Sequence, residues 1–365
     1  MSNVSVLEIN ELAIAYNLAY FKAKLDKKTK LLAVVKAFSY GSDSVILSKI
    51  LQKNKVDYLA VAYADEGILL RKNGIELPIL VLHPQIKNLE LLIKNNLEPN
   101  IYSFKILNEF ISICKDNKVK NYSIHLKFNT GLNRLGFSPK DVEKLLSKIK
   151  THSEIKIASV FSHLVASEDV SEREFTLHQI NLFTTIKEKV EKSLSYQPLF
   201  HQLNTSGILN YPEAQFDMVR LGIGIYGFAN DAKITKELKN VLRLKSVISQ
   251  IHTIKKGQSV GYNKGFVAQK ETRSATIPIG HADGISRKLG NGVGYVLIHN
   301  QKAKILGNVC MDMIMVDVTN IHCNEGDEVI IFNSQNMIEE ISANLETIPY
   351  EFLTLISQRV KRILV

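Results

Sequence analysis

Eight short runs, apolar along nearly their whole length, recur in the first two-thirds of the chain: Leu31–Ala37, Tyr58–Tyr63, Pro78–Leu82, Pro99–Ser103, Ile124–Phe128, Ile157–Leu164, Leu199–Leu203 and Asp217–Ile223. A strand with one wet face alternates apolar and polar residues. These runs do not alternate, so both their faces are buried, as in a parallel sheet covered by helices. Stretches with helical spacing lie between most of them, at Val45–Leu51, Glu66–Lys72, Phe104–Ile113, Val142–Ile149 and Ser171–Leu194. An opening helix is predicted where Ile14, Leu18, Phe21 and Leu25 recur at steps of four, three and four behind Asn10, a good capping side chain. Eight strand–helix units over about 220 residues favour an α/β fold of the TIM type, a (β/α)8 barrel, over an open doubly wound sheet.

The texture changes beyond Phe228. Val241–Ile254, Ser274–Ile279, Gly294–Asn300, Ala303–Leu306, Met311–Val318 and Glu328–Phe332 read as strands joined by turns, without intervening helices. A mostly β C-terminal domain follows, closed by a helix from Pro349 to about Arg359. The expected units are a barrel over residues 10–235 and a β domain over 236–365, with residues 1–9 joining the latter.

Composition narrows the class. The chain has 365 residues, 45% hydrophobic and 22% charged, with 8 prolines and 19 glycines, which excludes collagen-like and disordered chains. A net charge of +10 invites a nucleic-acid reading. The lysines are scattered rather than interleaved with aromatics, so a solvated basic surface is the better account and no nucleic-acid partner is expected. Cys114, Cys310 and Cys323 form no paired motif, which fits a reducing compartment. The first 25 or so residues lack a secretory pattern, and no apolar run reaches the roughly 18 residues of a membrane span. A cytoplasmic protein is expected, and the acceptor-like Asn3-Val-Ser5 and Asn204-Thr-Ser206 carry no weight.

In such a barrel the chemistry sits at the C-terminal ends of the strands. Lys36 ends the first run, where desolvation makes a neutral, nucleophilic amine attainable; a lysine snorkelling to water is the plain alternative. Lys127 and Arg134 follow the fifth run around a Gly-containing loop, and an Arg fork there suits a carboxylate or phenolate. His163 closes the sixth run without a second ligand at metal spacing, so no metal is expected. Asn204-Thr-Ser-Gly207 and Arg220-Leu-Gly-Ile-Gly224 end the seventh and eighth runs, where these barrels often hold phosphate. Gly222 to Gly227 also satisfies G-x-G-x-x-G, but it ends the series of runs instead of opening a βαβ unit, which argues against a dinucleotide. Tyr262, His281, Arg287 and Cys310-Met-Asp312 sit at turns or strand ends of the β region, where spacing alone says nothing more.

Taken together these segments resemble the alanine racemase family. The match runs from Ala33-Val-Val-Lys-Ala37 with Tyr40-Gly41, through Thr130-Gly-Leu-Asn-Arg-Leu-Gly136, Phe161-Ser-His163, Arg220-Leu-Gly222, Gly261-Tyr262, Ile279-Gly-His-Ala-Asp-Gly284 and Cys310-Met-Asp312, to Tyr350-Glu351 and Arg359-Val360. The resemblance implies an isomerase that uses pyridoxal 5'-phosphate and acts as a homodimer, each active site joining the barrel of one subunit to the β domain of the other. It implies that Lys36 forms the Schiff base and that Lys36 and the partner subunit's Tyr262 exchange the α-proton of alanine from opposite faces. A phenol must fall by about 3 pKa units to act as a base at neutral pH, roughly 4 kcal/mol of differential stabilisation. By the same resemblance Arg134 contacts the phenolic oxygen of the cofactor, His163 belongs to the shell around its ring, and Lys127 matches a lysine often carbamylated. Arg220 matches the partner of the pyridine nitrogen; being always charged, it weakens the electron sink. Tyr40, Asn204, Thr205, Gly222, Ile223 and Tyr350 match the phosphate site, and Met311 and Asp312 the substrate carboxylate site.

Three positions depart from the family pattern: His281 stands for a tyrosine at the substrate entrance near Arg287, Thr205 for a serine, and Lys361 for a proline. The first opens the alternative of a broad-specificity racemase. A non-catalytic cofactor-binding barrel would lack the region after Phe228, and a decarboxylase of the same architecture would set an acid, not Arg220, against the ring nitrogen. The expected cellular role is supply of D-alanine for peptidoglycan.

Overall fold

The computed structural model describes residues 4–365, so Asn3 and the start of the 1–9 segment lie outside the described residues. Eight parallel strands stand in the order Leu199–His201, Ile155–Phe161, Tyr122–Lys127, Glu98–Ile101, Ile79–Val81, Tyr58–Val61, Lys30–Val34 and Met218–Leu221. One strand arises from each of the eight apolar runs. The two ends of this sheet nearly meet: the Arg220 N–H donates to Leu203 O at 3.0 Å and the Asp217 N–H to Phe200 O at 3.0 Å. Leu31, Leu32, Ala33, Leu59, Ala60, Val61, Ile79, Leu80 and Val81 are fully buried, as strands with a packed interior and a helical coat require. The coat is amphipathic: helix Phe104–Asp116 buries Ile106, Leu107, Phe110, Ile111 and Cys114, and Ser103 caps it by accepting from the Ile106 N–H. Asn10 caps helix Glu11–Lys22 in the same way, accepting from the Ala13 N–H at 2.9 Å.

The second unit is a nine-stranded sheet with a separate two-stranded ribbon, Ser259–Val260 with Phe266–Val267. Strand Val6–Ile9 lies in the large sheet, antiparallel to Leu242–Val247 and parallel to Lys361–Leu364. The sequence reading needs four corrections. Val241–Ile254 is not one strand: Leu242–Val247 and Gln250–Ile254 sit far apart in the sheet, because at Ile248–Ser249 the backbone turns to donate to Asp327 O and Thr276 O. Met311–Val318 shortens to Ile314–Asp317, since Cys310 to Met313 close a turn through the Cys310 N–H and Met313 O. A helix, Gln335–Asn344, interrupts the β region behind the capping Ser334. The closing helix stops at Leu355, where Ile356 goes extended, and the chain ends as a strand.

The first run also ends early, and this positions the site. The strand stops at Val34, and Ala37, Phe38, Ser39 and Tyr40 turn through positive φ near 53–54°. Gly41 follows at φ +81°, and a Cβ there would lie 2.1 Å from Leu353 O. Helix Pro349–Leu355 therefore packs directly on the backbone that carries Lys36 and Tyr40.

Candidate active site

Eleven of the residues singled out from the sequence line one cavity of about 1060 Å³ at the C-terminal mouth of the barrel: Lys36, Tyr40, Lys127, Arg134, His163, Asn204, Thr205, Arg220, Gly222, Ile223 and Tyr350. Lys36 enters it from the turn after the first strand, which Glu66 pins by accepting from the Ala37 N–H (2.7 Å) and the Ala62 N–H (2.6 Å). Burial holds the Lys36 amine below the ordinary lysine range, and Arg134 pushes the same way against the opposing pull of Glu66. Lys127 is lowered to about 8, first by burial and then by Arg134, Arg220 and Lys36. Four cationic side chains thus face one cavity, an arrangement suited to an anionic ligand.

Arg220 is buried and nearly saturated. Nη1 donates to His201 Nδ1 (2.7 Å); Nη2 donates to Ser162 O (2.7 Å), Gln202 O (2.8 Å) and His163 Nδ1 (3.0 Å). Among the described residues Nε finds no acceptor, so it remains for a ligand. His163 lies against this guanidinium, and burial first, then Arg220, hold it well below the usual histidine range, so it is neutral.

At the other end of the cavity the Thr205 hydroxyl accepts from the Gly222 N–H at 3.2 Å, and Asn204 caps the following helical turn through the Gly207 N–H. The Tyr40 ring packs 4.9 Å from Tyr226 and 6.0 Å from Tyr350. Burial raises both the Tyr40 and Tyr350 phenols, which keeps them hydrogen-bond donors. A Cβ on Gly222 would meet the Tyr40 hydroxyl at 2.6 Å, so glycine leaves open a gap walled by hydroxyls and backbone.

Tyr262, Met311, Asp312, His281 and Arg287 are not in this cavity. All are exposed, Tyr262 at 73% and Met311 at 59%, large values for such side chains. Met311 leaves its backbone N–H without a protein acceptor among the described residues, while Asp312 accepts from Arg359 Nη2 at 2.6 Å. Sequence reasoning missed Glu66, which holds the Lys36 turn, and His201, which holds Arg220. The signal for His201 is a polar residue inside the seventh apolar run. Among the described residues no cluster of His, Cys, Asp or Glu could hold a metal, and no helix is long and apolar enough to cross a membrane.

Fold and site together define a barrel enzyme whose mouth presents an amine, a cation ring and a hydroxyl cradle beside a β domain. The chain belongs to the alanine racemase family: residues 9–230 match the model of the family's N-terminal domain and residues 241–364 that of its C-terminal domain. An alanine racemase of Helicobacter pylori (strain P12) is 34% identical, the alignment covering 100% of this chain and 99% of that protein. The solved alanine racemase of Clostridium difficile 630 superposes with a TM-score of 0.94 at 33% identity, covering 100% of this chain and 96% of that one. The alanine racemase of Bartonella henselae, solved with covalently bound pyridoxal phosphate, gives 0.87 at 27% identity over the whole of both chains.

Proposed function

We propose that this protein is a pyridoxal-phosphate-dependent racemase that interconverts L- and D-alanine. The observation that carries the reading is the meeting, in one cavity, of a desolvated Lys36 amine with the Arg220 Nε and the Tyr40–Thr205–Gly222 cradle. The residues fit the cofactor: the cradle would hold its phosphate with Asn204, Ile223 and Tyr350, the cations would hold its negative groups, and the Lys36 amine would hold its aldehyde carbon. When bound, the cofactor supplies an electron-withdrawing ring that acidifies the α-carbon of an amino acid joined to it.

Lys36 Nζ, held below the ordinary lysine range by burial, accepts and returns a proton on one side of that carbon. The partner subunit's Tyr262 serves the opposite side; its exposure in a single chain, beside exposed Met311, is what a surface waiting for a second subunit looks like. The protein is then a homodimer, with the barrel over 10–235 holding the cofactor and the unit over 236–365, joined by strand Val6–Ile9, presenting the phenol. Arg220, a donor only, leaves the ring nitrogen unprotonated and so limits how long charge persists on the carbon. Arg134 pairs with the phenolic oxygen and with the substrate carboxylate, which also meets the Met311 N–H near Asp312. His163 faces the ring and the incoming phenol. The neutral fraction that Lys127 gains near pH 8 allows addition of carbon dioxide, giving a carbamate that orients Arg134. His281 and Arg287 border the substrate entrance, and an imidazole in place of a phenol favours a range wider than alanine as the second reading. D-alanine supply for peptidoglycan in the cytoplasm is the role this activity serves.

The test is to purify the protein, look for a visible chromophore that borohydride alters, and follow L-alanine by circular dichroism. Lys36→Ala removes the chromophore, and Tyr262→Phe keeps it while racemisation collapses. A wild-type protein that stays colourless after reconstitution refutes the reading.

A further inference from the structure

The barrel interior holds a line of polar side chains of which the proposed chemistry uses only the last, Arg220. Five successive barrel strands in chain order each contribute one residue: Glu98, His125, Ser159, His201 and Arg220. Glu98 Oε2 lies 2.7 Å from His125 Nε2, His125 Nδ1 lies 2.6 Å from Ser159 Oγ, Ser159 Oγ lies 2.9 Å from His201 Nε2, and His201 Nδ1 lies 2.7 Å from Arg220 Nη1. His125, Ser159 and His201 have no solvent-exposed surface. Glu98 opens its strand, at the end of the barrel away from the cavity, so the line runs from the far end to the mouth.

Its direction is not free. A guanidinium can only donate, so His201 Nδ1 must accept and His201 must carry its proton on Nε2. That N–H points at Ser159, whose hydroxyl then has its own proton to give to His125 Nδ1. His125 is left with its proton on Nε2, aimed at the only member that needs no proton of its own, the Glu98 carboxylate. Every hydrogen bond therefore points from Arg220 towards Glu98. Burial, which holds His201 well below the usual histidine range, agrees with a neutral ring there, and Phe161 stacks flat on it at 4.9 Å.

We propose that this line is a one-way hydrogen-bond relay in which Glu98, His125, Ser159 and His201 act as positioning residues, compensating the Arg220 charge across the barrel and aiming its free Nε at the cofactor ring. The inference rests on the reading of Arg220 as the ring-nitrogen partner. It assigns a part in the reaction to a carboxylate, Glu98, at the opposite end of the barrel from the cavity.

The first test uses ¹⁵N-labelled apoprotein, where histidine tautomers are read by nuclear magnetic resonance. Both His125 and His201 are expected neutral with the proton on Nε2; an Nδ1–H tautomer or an imidazolium at either overturns the relay. The second test uses the holoenzyme. Ser159→Ala is expected to lower kcat roughly tenfold while KM stays within about twofold, because substrate contacts are untouched. Ser159→Thr, which keeps the hydroxyl, is expected to recover most of that loss. An unchanged kcat, or equal losses in binding and turnover, overturns the proposal. Should Ser159→Ala fail to fold, Glu98→Gln decides instead: it keeps an acceptor for His125 but no charge, and a kcat drop of about threefold with KM and the tautomers preserved is expected, none being contrary. A wild-type protein that does not racemise alanine sinks the proposed function, whereas the apoprotein tautomers judge the relay separately.

Discussion

Arg362 donates from Nη2 (2.6 Å) and Nε (3.1 Å) to the carbonyl of Gly41, a residue 321 positions earlier in the chain. The last strand is thereby tied to the turn that carries Lys36 and Tyr40, and the half-buried guanidinium, set among backbone carbonyls, makes this a bond between the two units. Arg362→Ala leaves partly buried carbonyls unpaired and is expected to destabilise the protein by about 1–3 kcal/mol. Cofactor affinity is expected to fall with it, since the cradle loses its clamp. Chemical denaturation of the apoprotein and a cofactor titration measure both. Gly41→Ala is harsher, more than about 2 kcal/mol, because it adds a left-handed penalty to a Cβ placed on Leu353 O.

Gly222→Ala acts on the cradle. Its Cβ strikes the far end of the Tyr40 side chain, and the backbone there, at φ −115° and ψ −101°, lies outside the regions a side chain favours, so the apoprotein is expected to lose about 1–3 kcal/mol and still fold. The gap proposed for phosphate closes, and cofactor dissociation is expected to rise at least about tenfold, equivalent to roughly 1.4 kcal/mol. Quenching of tyrosine fluorescence by added cofactor reads the change. An unaltered affinity would place the phosphate elsewhere.

The pH dependence of stability carries the mark of Lys127. Its folded pKa of about 8 lies below the ordinary lysine value of 10.5, so between these the unfolded chain binds a proton that the folded chain does not. The penalty is complete below about pH 8, on the order of 3 kcal/mol, and disappears as pH rises towards 10.5. Lys127→Met removes a buried charge and is expected to stabilise the apoprotein at pH 7 in bicarbonate-free buffer, with little effect at pH 10.5. Urea midpoints at the two pH values test this. Bicarbonate is expected to stabilise the wild type and not the variant, and intact mass of the wild type should show one added carbon dioxide.

The barrel was legible because double-sided burial writes an unbroken apolar run, and Lys36 was legible because it ends one. The turn behind it was not: nothing in Ala37-Phe-Ser-Tyr40 announces four residues at positive φ, nor the close packing of Leu353, from the far end of the chain, on the Gly41 that follows. Helix Gln335–Asn344 carries a signal, a capping Ser334 with Met337, Ile338 and Ile341 on one face, though strands surround it in the sequence. His125 and His201 read as interruptions in apolar runs, and only the barrel's curvature brings them, through Ser159, to Arg220. Tyr262, Met311 and Asp312 do not line the cavity of their own chain, and their turns carry no local pattern that says so.

That separation of Lys36 from Tyr262 yields the sharpest prediction. Lys36→Ala and Tyr262→Phe are each expected to be nearly inactive as pure homodimers. In a mixed dimer with two-fold symmetry, the two defects fall together in one site and the other site is intact. Equal mixing with full subunit exchange makes half the dimers mixed, each with one working site in two, so activity should return to about a quarter of wild type. Mass spectrometry under native conditions confirms the exchange, and circular dichroism on L-alanine measures the recovery. If both residues acted within one chain, a mixed dimer would hold one defect in each site and mixing would restore nothing; a flat result with exchange demonstrated would therefore remove Tyr262 of the neighbouring chain from the chemistry.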